Sequence, residues 1–80
     1  MYNYKPNPAV LHFQKRMRER HGIFVGLKAI KDIVYLYEHK MVKISSNGKP
    51  DRVRMIIPMR GKNIPIIFDT KIKLPITCFE

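Results

Sequence analysis

Apolar positions recur every three or four residues in the first half of the chain and alternate in the second. In "NPAVLHFQKRMRERHG", Val10, Phe13 and Met17 fall at i, i+3 and i+7, one stripe of a helix. Asn7 is placed to cap that helix, Pro8 suits its first turn, and Gly22 is placed to stop it. A second helix is expected over 25–41, "VGLKAIKDIVYLYEHKM", burying Leu27, Ile30, Val34, Tyr37 and Met41. Gly22 and the residues after it form the hinge between the two.

After Met41 the period shortens. "VKIS" reads as a strand and "SNGKPD" as a turn, with Asn47-Gly48 the hairpin signal. "RVRMIIPM" sets Val53, Met55, Ile57 and Met59 against Arg52, Arg54, Ile56 and Pro58, the two faces of one strand. "RGKN" turns again, and "IPIIFD" and "KLPITCF" supply two more strands. The pattern predicts one α+β domain over 1–80, with two N-terminal helices packed on a four-stranded antiparallel sheet. Residues 1–6, "MYNYKP", are expected to form an irregular arm. Pro58, Pro65 and Pro75 fall inside proposed strands. Proline has no ladder donor, so each belongs at an edge, a bulge or a strand end.

Charge narrows the function classes. Sixteen Lys and Arg against six Asp and Glu give a net charge of +10 on 80 residues. A field of that sign favours polyanions, nucleic acid first, an anionic membrane surface or an acidic protein second. Basic side chains expected to meet nucleic acid are Lys15 and Arg18 on the first helix, Lys28 and Lys31 on the second, and Arg52, Arg54, Arg60 and Lys62 on the strands and their turn. Convergence of these with the first helix would make a groove for a phosphate backbone, and Tyr2, Tyr4 and Tyr35 would offer stacking surfaces.

Other chemistries are poorly served. The six carboxylates are scattered, the three histidines lack zinc-ligand spacing, and no phosphate-binding glycine loop is present, so no metal and no cofactor is expected. Cys78 stands alone, which suits a reducing cytoplasm. No apolar run reaches the ~18–20 residues of a membrane span, and the first residues lack a signal-peptide core, so a cytoplasmic protein without a membrane partner is expected.

The stretch "HFQKRMRERHGI" resembles the opening motif, roughly H-x-x-x-R-x-x-x-R-x-G-I, of a domain-of-unknown-function family of small phage and bacterial proteins. "PIIFDTKIKLPITCF" stands where that family carries a Y-D and a later V-T, with Phe68-Asp69 and Ile76-Thr77 in those places. The family is similar to the barnase–EndoU–colicin–RelE superfamily of compact, metal-independent ribonucleases. The resemblance implies a toxin-like protein acting in a cytoplasm, the host's if the chain is phage-encoded. It implies RNA rather than DNA as target, and leaves room for a neutralising partner protein. Its site would hold His12, Arg16, Arg20 and Thr77. There are two departures, Arg20-His21-Gly22-Ile23 where R-F-G or R-G-I is usual, and Phe68 in place of tyrosine.

Those residue types suit the chemistry. His12 would act as general acid or base near neutral pH, Arg16 and Arg20 would clamp phosphate through planar forks, and Thr77 would position it by hydrogen bond. Two other readings stand beside a ribonuclease. One is a non-catalytic nucleic-acid-binding module, which the departures favour. The other is a phage effector that binds an acidic host protein, motivated by small size and high charge.

Overall fold

The computed structural model describes residues 7–79. The expected arm over 1–6, with Tyr2 and Tyr4, lies outside the described residues. The elements run α1 (Pro8–His21), α2 (Leu27–Glu38), β1 (Ile44–Lys49), β2 (Arg52–Met59), β3 (Lys62–Asp69) and β4 (Leu74–Cys78). The two helices pack on one antiparallel sheet of order β1-β2-β3-β4, the expected α+β architecture.

α1 is set by its ends. The Asn7 carboxamide oxygen accepts the Ala9 amide at 2.8 Å, and Pro8 opens the first turn. Gly22 closes the helix at φ 66°, a left-handed position that a side chain would strain. Its stripe of Val10, Phe13 and Met17 is buried as expected.

α2 is shorter than the expected 25–41. Gly26 is its extended N-cap, and Lys40, with φ 51°, turns the chain away just after it. The stripe is also rotated. Ile30 and Ile33 are buried and Val34 and Tyr37 half-buried, whereas Leu27 is 49% and Met41 61% exposed. Leu27 sits at the flank of the buried face in the first turn, and Met41 lies past the last one.

The β1–β2 connection corrects a second expectation. Asn47-Gly48 is not the reversal. The register steps there from Ser46↔Val53 to Lys49↔Arg52, with Gly48 at φ 79°, so the pair forms a bulge and the chain reverses at Pro50-Asp51. Pro50 presets the backbone of the turn's first central position. Arg60 (φ 51°) and Gly61 (φ 75°) make the two-residue β2–β3 turn, whose paired positive φ values match strand twist.

The three prolines fall where no donor is needed. β1 pairs with β2 as far as Ile44↔Met55, so Pro58 lies beyond its reach. Pro65 uses its carbonyl instead, accepting the Phe79 amide at 2.9 Å. Pro75 sits on the edge strand β4 where the register shifts between Ile67↔Thr77 and Phe68↔Pro75. Between sheet and helices lies one core, in which Phe13, Met17, Ile33, Met55, Ile57, Ile66 and Phe68 are fully enclosed. The opposite sheet face bears Arg54, Ile56, Pro65, Ile67 and Thr77, and neither helix covers it.

Candidate nucleic-acid interface

His12, Arg16 and Arg20 share one flank of α1, but they are not equivalent. Four residues advance a helix by about 40° beyond a full turn, so the row spirals from solvent toward the sheet. His12 is exposed and Arg16 half-buried, while Arg20, although largely exposed, reaches β4 and donates from its guanidinium to the Cys78 carbonyl. Arg16 pairs with Glu19 at 3.2 Å, both side chains partly exposed. Such a pair contributes roughly 0–1 kcal/mol and yields readily to a phosphate. Along the axis His12 stands about 12 Å from Arg20.

Thr77 is half-buried and lies next to the residue whose carbonyl Arg20 holds. Pairing Arg54↔Ile67↔Thr77 puts it in one row with Arg54 on the uncovered sheet face. The structure thus brings Arg20, Thr77 and Arg54 to one corner of the molecule, with Arg16 one turn away along α1. His12 is set back from them.

Two residues at this corner carry contacts that sequence reasoning missed. His21 Nε2 lies 2.5 Å from the Phe79 carbonyl oxygen, so the imidazole N–H donates to it and fastens the end of β4 to the end of α1. Phe79 is 39% exposed, and its ring lies beneath the Arg54 guanidinium, 5.3 Å from carbon to centroid. A signal existed for Phe79: it stands two residues after Thr77, and strand period places both on one face. For His21 no local signal exists, because its partner lies 58 positions away.

Cys78 turns the other way, into the core. Burial pushes its thiol above the ordinary value, and the Arg20 and Arg16 guanidiniums pull it part of the way back. It is shielded by packing, so despite the two guanidiniums it lacks the exposure of a nucleophilic cysteine.

The Phe-Asp pair has a structural use. Phe68 is enclosed in the core and stacks on Tyr37, with ring centroids 4.4 Å apart. The Asp69 carboxylate accepts the Lys71 and Ile72 amides at 2.9 and 3.1 Å and so holds the β3–β4 turn, while its other oxygen lies 4.0 Å from Arg52. A tyrosine hydroxyl at 68 would belong to the core and not to the α1–β4 corner.

The remaining basic residues do not gather into one groove. Lys15 and Arg18 lie on the other flank of α1, where with Leu11, Gln14 and Phe24 they line a shallow depression of about 190 Å³. Lys28 and Lys31 are exposed on α2, and Arg60 and Lys62 mark the β2–β3 turn. Arg52 and Arg54 project from the sheet face away from both helices, so the sheet itself separates them from Lys28 and Lys31. Of these, only Arg54 joins the corner.

Among the described residues no three His, Cys, Asp or Glu side chains are placed to hold a metal ion, and no helix is long and apolar enough to cross a membrane. No family model, curated protein or solved structure matches the chain.

Proposed function

We propose that this chain is a small RNA-binding protein that grips the phosphate backbone at the α1–β4 corner. The observation that carries this reading is a surplus of cations over internal partners. The chain holds sixteen Lys and Arg, yet three ion pairs join the described residues: Arg16–Glu19, Arg52–Asp69 and Lys73–Glu38. At the corner, Arg16 offers a planar fork from α1, and Arg54 offers another from the sheet face, over the exposed Phe79 ring. RNA is favoured over DNA by the motif's resemblance to the ribonuclease superfamily, while the ring exposed beside Arg54 suits unpaired bases of either kind. A cytoplasmic setting accompanies this reading, since the lone Cys78 forms no internal disulfide.

A second reading, metal-independent cleavage, is favoured by the placing of His12 on the same α1 flank as Arg16 and Arg20. Each reading has its own test. Fluorescence anisotropy on labelled RNA across a salt series should give a logarithmic slope of about 0.7 per phosphate neutralised on a single strand. Arg16→Ala should lower that slope by about one such contact; affinity indifferent to salt overturns the binding reading. Incubation with total RNA in chelator tests the second. Fragments with 2′,3′-cyclic phosphate ends from wild type, absent with His12→Ala, establish a ribonuclease. Intact RNA alongside a salt-sensitive shift makes it a binder alone.

A further inference from the structure

The sheet face turned away from the helices is covered by no described element, and its composition is not that of an ordinary solvated face. Ile56 and Pro65 are half-buried there, and Ile67 is 5% exposed. Ile67 is therefore closed off from solvent on a face that neither helix covers. In the pairing register its neighbours are Arg54 and Thr77 in its own row and Pro65 and Asp69 on either side along β3. At the β4 end of this surface the Phe79 ring and the Arg54 guanidinium lie together. The partly exposed Ile56 and Pro65, an exposed ring, a planar cation and a threonine are therefore gathered on one sheet face.

We propose that this face is a base-stacking site for single-stranded RNA, with the Phe79 ring as platform and Arg54 as its planar cationic neighbour. The proposal rests on the RNA-binding reading and adds the bases to the phosphates that reading assigned. A nucleobase has an apolar flat face and a polar rim. Phe79 meets the face, while Arg54 and the Thr77 hydroxyl meet the rim or the adjoining phosphate. Every base has a π-face, so such a platform accepts any sequence. It does not accept a duplex, whose bases present only their edges and are already stacked on one another.

The geometry lets the two parts of the strand be held at once. The backbone of β4 links them: Arg20 holds the Cys78 carbonyl from the α1 side, and the Phe79 side chain reaches the opposite sheet face from the next residue. A strand passing over the end of β4 would lay phosphates toward Arg16 and a base toward Phe79. A duplex could engage the first contact and not the second.

The test compares two labelled probes at one salt concentration, an unstructured oligouridine of about ten nucleotides, within the roughly 4–16 of known single-strand sites, and a blunt-ended, two-strand duplex RNA without a loop. Phe79→Ala should weaken oligouridine binding roughly 5- to 150-fold and duplex binding by no more than about twofold. Phe79→Trp should restore the oligouridine affinity. Arg54→Lys keeps the charge and loses the plane, so it should also weaken the single strand selectively. The variants should fold, because Phe79 is partly exposed at a strand end and His21 holds its backbone carbonyl rather than its ring; thermal melts check this. If Phe79→Ala changes both probes alike, or neither, while wild type binds them, the stacking site is overturned and the backbone reading survives. If wild type binds neither probe, both fall together.

Discussion

Cys78 and Arg20 meet at a single residue of β4 and pull in opposite directions. The carbonyl of Cys78 takes the guanidinium, and its thiol is held in the core. The thiol's ordinary value is 9.0, and the folded protein raises it. Below pH 9.0 both folded and unfolded thiols keep their protons, and the stabilisation is fully present. As pH rises past that value the unfolded chain ionises first, so stability falls until the folded thiol ionises as well. Urea melts at neutral pH and above about pH 9 should therefore show an alkaline loss that is smaller in Cys78→Ala, a variant expected to be about 1 kcal/mol less stable at neutral pH. Equal alkaline losses in both would place the titrating group elsewhere. The same packing should keep the native thiol from alkylation until the chain unfolds.

Helix ends and strand faces follow local chemistry, and they can be tested locally. Asn7→Ala removes the acceptor for the Ala9 amide and should cost about 1 kcal/mol. At Gly22, φ is 66° and a Cβ would have no neighbour within 4 Å. Alanine there meets no clash, so its cost of about 1–2 kcal/mol is backbone strain alone. Denaturant melts of both variants check these values; a neutral Gly22→Ala would mean that the loop re-forms around it.

The same locality explains what could be read in the sequence. α1, its caps, its stripe and the two faces of β2 follow from neighbours within a few residues. The α2 stripe does not, because a run rich in apolar residues offers several phases and the sheet selects one centred on Ile30 and Ile33. Asn47-Gly48 carries a turn signal, but Pro50 two residues later makes a competing reversal and leaves the glycine to a bulge. At the site, Arg16, Arg20 and Thr77 were legible as types. That Arg20 bonds to β4 was not, since the contact joins positions 58 apart. Nor could spacing reveal that the sheet would divide Arg52 and Arg54 from the lysines of α2.

For the whole molecule charge matters more than any one pair. A body 40 × 28 × 21 Å across carries +10, and at low salt its cations repel one another through most of that span. Screening shortens to about 10 Å at 0.1 M salt. The thermal midpoint should therefore rise between low salt and about 0.3 M, while the RNA affinity we propose should fall over the same range. A midpoint that drops with added salt would show that attractive surface pairs outweigh the repulsion. If RNA is the ligand, as we propose, its addition should raise the midpoint further with the logarithm of its concentration over its dissociation constant.

The bonds from Arg20 and His21 to the carbonyls of Cys78 and Phe79 join positions 58 apart, so they can form only late in synthesis. α1 is made well before the strand it packs beside. Until residues 74–79 are available, the nascent helix has part of its apolar stripe uncovered and two side chains without their acceptors. Closure then requires parts far apart in the chain to meet, the kind of contact that slows folding. The core is completed only once β4 has emerged from the ribosome, and a chain stopped before β4 would leave Phe13 and Met17 open to other unfinished chains.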